Sequence, residues 1–322
     1  MTYLPSESPN RPFLGDEEDV RIMRQRDLSA VPPIDEVERD RGVTIEHVEL
    51  GGVRSLRISP ARARVRGAIL SVHGGGLVSG SRTTGLDWNS RMAGHLGVTV
   101  FVPEYRLVPE HPYPGPLDDV HAAWSELVDS WPGTGTGSSI ALVGGSSGGG
   151  LAAGLVIRLL TRGGRLPDAM LLFQPQLDDR NSSPSSYDYL NAPFWDRSSN
   201  ALSWSWYLKG SNGPPAEAAP SRATDFAGWP RSFVEIAQCD LFRDEGQEFA
   251  SRLSQSGVPV EVHVWPGAFH GFDSATSTAL ARRALSARLG FLDGVFDESQ
   301  ATSFDDTATT NHPPLDGRPQ LD

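Results

Sequence analysis

The chain has 322 residues, enough for one large core, and its 28 Lys and Arg against 40 Asp and Glu give a net charge of −12. That balance, with no basic stripe along the sequence, excludes a nucleic-acid binder. Cys239 is the single cysteine, which excludes an intramolecular disulfide and any zinc cluster built from thiolates. It closely follows an apolar run, so it reads as a small buried residue at a strand end. Met1 to Asn10 shows no basic region leading into an apolar run, so no signal peptide is expected. No stretch approaches the ~18 apolar residues of a membrane span. These features predict a cytoplasmic protein with no membrane partner.

Residues 1–42 are polar and charged, with one amphipathic stretch at 16–28 in which Val20, Met23 and Leu28 could meet a partner surface. This segment reads as a short helix laid over the main domain. From Val43 the pattern changes to strands. Residues 43–50 and 53–58 flank Gly51-Gly52, a hairpin signal. Short apolar, β-branched runs at 68–72, 98–102, 140–143, 170–173, 233–237 and 260–264 read as buried strands. Helical stretches at 85–96, 117–130, 149–161, 244–255 and 276–292 separate most of them. Strands alternating with helices predict an α/β fold with a largely parallel sheet covered on both faces. Residues 177–229 break this rhythm: they carry Trp195, Trp204, Trp206 and Trp229 and several prolines, without a clear strand. An insertion this long between core strands reads as a lid or binding region. The domain organisation expected is therefore an N-terminal lid segment at 1–42 and a main domain at 43–297 with its lid insertion at 177–229. The acidic Thr/Pro/Asp-rich tail at 298–322 cannot bury enough apolar area to offset the entropy of ordering, and reads as disordered.

Two glycine-framed motifs carry the chemistry. Gly144-Gly145-Ser146-Ser147-Gly148-Gly149 lies between a predicted strand and a predicted helix, the setting of a nucleophile elbow. There a tight turn holds a serine up at the helix N-terminus, and flanking glycines avoid clashes. Two registers satisfy G-x-S-x-G, with Ser146 or Ser147 as nucleophile. Ser146 is preferred because its first glycine then falls directly after the strand's last apolar residue. A phosphate-binding Ser/Gly loop is the rival, but the P-loop Lys-Ser/Thr ending and the dinucleotide spacing are both missing.

A serine hydroxyl needs a base to take its proton. Of the 8 histidines, His270 sits in a glycine-rich turn after the last predicted strand, at the carboxyl edge where Ser146 also lies. His73 belongs to its glycine run and His111 to a Pro-rich loop. His95, His121 and His263 fall on helices or strands, and His47 and His312 near the chain ends. The orienting acid should follow another core strand, between Ser and His in chain order. Asp240 is nearest the end of the strand at 233–237. Its rivals Asp244 and Glu245 fall in the next helix, where acids complement the dipole. His73-Gly74-Gly75-Gly76 ends another strand. The N–H groups of Gly74, Gly75 and Gly76, with that of Ser147, form the expected oxyanion hole.

These residues, together with Tyr105-Arg106-Leu107-Val108-Pro109-Glu110-His111-Pro112-Tyr113-Pro114, Asp240-Leu241-Phe242-Arg243-Asp244-Glu245 and His270-Gly271-Phe272, resemble the hormone-sensitive-lipase-like branch of the α/β-hydrolases. The resemblance spans roughly residues 43–292. It implies an α/β-hydrolase fold with a mostly parallel eight-stranded sheet, a helical lid from the N-terminal segment and residues 177–229, and carboxylesterase activity without a cofactor or metal. A small-molecule ester is the implied partner. A homodimer is in keeping with the family, although no residue of the sequence identifies an interface. The Tyr105–Pro114 segment resembles a structural signature and is assigned no chemistry.

Three positions depart from the family pattern. Gly145 stands where an acidic residue usually precedes the nucleophile, Ser147 where alanine usually follows it, and Leu77 where an aromatic commonly follows the glycine triplet. The expectation is a serine carboxylesterase for small to medium acyl esters, acting through an acyl-enzyme. An amidase or deacetylase with the same triad, a small-molecule receptor on a dead hydrolase scaffold and a true lipase remain as alternatives.

Overall fold

The computed structural model describes residues 14–297, apart from 63–64, 132–138, 191, 193, 210 and 212. The expectation for the tail at 298–322 lies outside the described residues.

Two helices come first, α1 (Glu17–Ser29) and α2 (Ile34–Arg41). The hairpin β1 (Val43–Leu50) and β2 (Val53–Pro60) then turns through Gly51 and Gly52 at φ 61° and 78°. Both central residues of this turn are left-handed, as a type I′ connection requires. The strands β3 (Gly67–Val72), β4 (Thr99–Pro103), β5 (Ser139–Gly145), β6 (Ala169–Phe173), β7 (Ser232–Cys239) and β8 (Val260–Phe269) follow. Between and after them run α3 (Leu86–Leu96), α4 (Gly115–Ser130), α5 (Ser147–Arg162), α6 (Pro184–Asp188), α7 (Arg197–Tyr207), α8 (Arg243–Gln255) and α9 (Ala279–Phe296).

All eight strands form one sheet in the order β1-β2-β4-β3-β5-β6-β7-β8. β1–β2 and β2–β4 are antiparallel and the other pairs parallel. Period-two alternation divides the core between the faces. On β3, Ala68, Leu70 and Val72 join Leu117 of α4, Leu155 of α5 and Phe249 of α8. Ile69 points the other way, towards the cluster holding Met92 and Leu96 of α3, Leu292 of α9 and Val37 of α2. Helices on both faces leave the carboxyl ends of the parallel strands as the open edge for loops.

The eight expected strands are present, most of them longer than the apolar runs indicate. β5 takes in Gly144 and Gly145, which pair with Leu172 and Phe173 of β6, and α5 begins at Ser147, two residues before the expected start. Among its described residues the insertion holds no strand, as its sequence indicates, and carries α6 and α7, the latter capped by the Asp196 carboxylate, which accepts the Ser199 N–H at 2.7 Å. Trp195, Trp204 and Trp229 are buried and Trp206 packs against the same core. The N-terminal segment touches α7 of the insertion and the loops that follow β3 and β4. Leu14 N–H donates to Ser199 Oγ at 2.8 Å, and Arg24 of α1 donates to the Val78 and Val108 carbonyls at 2.8 and 2.9 Å. Among the described residues no helix is long and apolar enough to cross a membrane.

Candidate active site

Ser146 occupies the turn between β5 and α5 with φ 54° and ψ −126°. A non-glycine residue in this region costs about 1–3 kcal/mol and persists only where its surroundings over-determine it. They do. The Ser146 N–H donates to Phe173 O at 3.0 Å, and its carbonyl accepts from Gly149, Gly150 and Gln176 N–H at 2.9, 3.2 and 3.0 Å. The turn is also too tight for side chains beside it: a Cβ on Gly148 would stand 2.2 Å from Val72 O.

His270 follows β8 and Asp240 follows β7. The His270 Nδ1–H donates to Asp240 Oδ2 at 2.8 Å, and the Ser146 hydroxyl donates to His270 Nε2 at 3.0 Å. An acceptor-only carboxylate at Nδ1 fixes the tautomer and leaves the Nε2 lone pair facing the serine. Burial pulls the His270 pKa down, but the Asp240 charge and hydrogen bond, aided by Asp273, outweigh it and hold the value above 6.5. The structure brings Ser146, not Ser147, to the imidazole. The rival acids turn towards the insertion. Asp244 accepts the Ser185 N–H at 2.6 Å, and Glu245 accepts those of Leu177 and Asp178 at 2.7 and 3.3 Å.

The glycine run lies against this centre: a Cβ on Gly74 would stand 3.2 Å from Ser146 Cβ. Gly76 has φ +61°, and a Cβ there would meet the Trp195 ring at 2.2 Å. No backbone acceptor is taken by the N–H groups of Gly74, Gly75 or Gly76 among the described residues. Ser147 opens α5, where an N–H has no acceptor within the helix. These four N–H groups thus take no backbone acceptor among the described residues, and of the glycines Gly74 is the one that lies directly against Ser146. His73 supports the run from beneath. Its Nδ1–H donates to Gly74 O at 2.8 Å, its ring stacks on Tyr105 at 4.1 Å, and the Tyr105 hydroxyl donates to His73 O at 2.8 Å. Burial depresses its pKa to about 4, so it is neutral at pH 7 and plays no acid–base part.

The departure at Gly145 has a spatial cause. A Cβ there would stand 2.1 Å from the Phe173 ring, which fills the room an acidic side chain would need. The Arg288 guanidinium lies 4.2 Å from the centre of that ring and pairs with Glu235 and Asp273 instead. Gln174 belongs to the same group. Its Nε2 donates to Glu235 Oε1 and Asp273 Oδ1 at 3.3 and 3.4 Å, while its Oε1 accepts the Gly271 N–H beside His270. Sequence reasoning missed Gln174 and Arg288. Arg288 did leave a signal: it sits among Ala281, Ala284, Leu285 and Leu292, on the buried stripe of α9.

Cys239 ends β7, as expected, but it is half-buried where a buried residue was expected, because it lines a cavity of about 190 Å³ with Phe194, Trp195, Phe269, Asp240 and His270. Among the described residues, no group of three or more His, Cys, Asp and Glu is placed to hold a metal ion.

A Ser–His–Asp chain at the carboxyl edge of such a sheet, its acid buried and its serine and imidazole half-buried, is the arrangement of a hydrolase-type centre. The family described as "alpha/beta hydrolase fold" matches residues 69–274. Esterase LipI of Mycobacterium tuberculosis is 34% identical over 207 residues, which are 63% of this chain and 65% of that protein. The match thus spans less than two thirds of that relative's length. A solved structure entitled "Bacterial Heroin Esterase" superposes with a TM-score of 0.79 at 31% identity, covering 87% of this chain and 93% of the other. An esterase of the bacterial hormone-sensitive lipase family gives a TM-score of 0.73 at 26% identity, covering 87% and 97%. The chain belongs to the α/β-hydrolase fold family, in its hormone-sensitive-lipase-like branch.

Proposed function

We propose that the protein is a serine carboxylesterase acting on small to medium acyl esters. The observation that carries this reading is the unbroken hydrogen-bond chain from Ser146 through His270 to Asp240. Ser146 Oγ attacks the ester carbonyl as His270 Nε2 takes its proton, and Asp240 stabilises the imidazolium. The developing oxyanion is received by the N–H of Ser147 and those of the Gly74–Gly76 run. One such donor is worth about 2.7–4 kcal/mol of barrier. His270 then returns the proton to the departing alkoxide, and water, activated by the same imidazole, cleaves the acyl-enzyme. The 190 Å³ cavity borders His270, which must protonate the leaving group, so it suits the alcohol portion of the substrate.

Residues 1–42 and 177–229 serve as the lid in this reading. Arg24 and Leu14 tie α1 and its approach to the glycine-run loop and to α7, and Trp195 closes over Gly76. A cover of this kind excludes water and limits the space for substrate. Activity is therefore expected to peak on acyl chains of about two to eight carbons, each methylene adding ~0.8 kcal/mol until the room is filled.

The triad itself does not choose between ester and amide. Assays of the purified protein on an acetyl ester and its matched acetamide, and on esters of rising acyl length, test the reading. Hydrolysis of the amide at a rate equal to the ester would favour an amidase. A steady rise through long-chain triglycerides with activation at the oil–water interface would favour a lipase.

A further inference from the structure

A second cavity, of about 10 Å³, adjoins the nucleophile turn and is lined in part by Leu77, Ser147, Gln176, Trp204 and Tyr207. Ser147 follows the nucleophile and Leu77 follows the glycine run, so this space borders the place where a bound acyl group must start. Its walls are unusual for so dry a location. Gln176 Oε1, Trp204 Nε1 and the Tyr207 hydroxyl are buried without a hydrogen-bond partner among the described residues. The three residues are only 1%, 4% and 2% exposed. Buried polar groups are ordinarily satisfied, and unpaired ones call for a partner that comes from elsewhere.

The Gln176 oxygen is held free by its surroundings. Asn181 Nδ2 donates to the Arg197 carbonyl at 2.9 Å, which turns Asn181 Oδ1 towards Asn200 Nδ2 at 3.0 Å. Asn200 Oδ1 then accepts from Gln176 Nε2 at 2.7 Å and from Trp195 Nε1 at 3.4 Å. A backbone carbonyl thus anchors the whole series of amides, and Gln176 is left with its acceptor uncommitted. The wall therefore offers one fixed acceptor, one fixed donor in the Trp204 N–H, and two hydroxyls, of Tyr207 and Ser147, able to do either. No charged side chain lines the space, which disfavours an ammonium or a carboxylate. The room is that of about one water molecule.

We propose that this cavity is a polar acyl subsite that takes the hydroxyl group of a short hydroxyacyl ester. A hydroxyl accepts from Trp204 Nε1–H, donates to Gln176 Oε1 and meets Tyr207 in a space the size of one oxygen. A methyl group in its place leaves all three unpaired, and sites built for a hydroxyl discriminate strongly against analogues that lack it. The proposal rests on the esterase reading and adds the substrate class to it.

The test uses p-nitrophenyl esters of the full chain's candidate acids in two shape-matched pairs: 3-hydroxybutanoate with 3-methylbutanoate, and 2-hydroxypropanoate with 2-methylpropanoate. The acetate ester serves as reference. In at least one pair kcat/KM for the hydroxyacyl ester should exceed that of its methyl partner by about tenfold or more. Trp204→Phe should bring that ratio to within about threefold of unity, and Gln176→Met should do the same should the Trp204 variant fail to fold. Acetate hydrolysis with both ratios near unity would overturn the subsite alone and leave the cavity to a structural water. A preference that survives both substitutions would overturn it as well. Failure to hydrolyse every ester, acetate included, would sink the esterase reading and this proposal with it.

Discussion

Gln174 accepts the backbone N–H of Gly271 at 2.5 Å, and by this bond a residue just past β6 holds the turn that carries His270. The amide is itself held, because its Nε2 faces the carboxylates of Glu235 and Asp273, and both of these pair with Arg288. Replacing Gln174 by Met keeps length and volume while removing all three side-chain hydrogen bonds. The imidazole should then sample misplaced positions, for which a displacement near 1 Å costs about 10²-fold in rate. Steady-state kinetics on an acetyl ester should give a kcat lowered about ten- to a hundredfold with KM little changed. An unaltered kcat would remove Gln174 from the positioning of His270.

The register of the elbow is testable directly. Ser146→Ala should lower ester hydrolysis by several orders of magnitude and abolish labelling by an organophosphonate. Ser147→Ala should still be labelled, since the Ser147 N–H persists and its hydroxyl does not meet His270. Mass spectrometry of the labelled proteins distinguishes the two. A labelled Ser146 variant would assign the nucleophile to its neighbour.

Asp240 acts on both the geometry and the titration of His270. Asp240→Asn should lower kcat by about 10⁴-fold through the wrong tautomer, whereas Asp244→Asn should lose far less, its contacts being with Ser185 and Arg243. The neutral imidazole is the base, so activity should rise with pH through the His270 pKa, which lies above 6.5. Asp240 is the main influence raising it, so the residual activity of Asp240→Asn should rise at lower pH than that of the native enzyme. A limb that stays in place would show that Asp240 does not set the charge state of the base.

Much of this arrangement was legible because its signals are local. Glycines around Ser146, a glycine after His270 and an acid just past the run at 233–237 each mark a turn at a strand end. The buried strands announce themselves by β-branched runs without alternation, as sheets covered on both faces do. What escaped lies in contacts distant in sequence or in weak periodicity. α2 has one buried apolar residue, Val37, in a charged sequence, so it offered no stripe to count. α6 is five residues long and shows no period at all. Gln174 meets a turn 97 residues away, and no pattern near it distinguishes it from a polar residue at any strand end. Gly145 was visible as a departure, but its cause, the Phe173 ring from the neighbouring strand, required the register of β5 against β6.

Glu245 lies buried at the start of α8, where its carboxylate receives the Leu177 and Asp178 N–H groups. Desolvation dominates, and the nearby charges of Asp178 and Asp240 add to it, so its pKa stands well above 4.5 despite those two hydrogen bonds. A carboxyl whose folded pKa is raised stabilises the fold fully below its unfolded pKa. That contribution is lost as pH rises through the folded value, because ionisation is then easier in the unfolded chain. Glu245→Gln keeps an oxygen for both N–H donors and removes the ionisation. It should therefore raise the Tm at pH 8–9 by about 2–4 °C, the shift that ~1 kcal/mol gives in a domain of this size class, and change it little at pH 5. Thermal denaturation of both proteins across this range provides the measurement. A Glu245→Gln protein less stable than the native one at pH 9 would mean that the ionised carboxylate, with its two backbone donors, is the form the fold prefers.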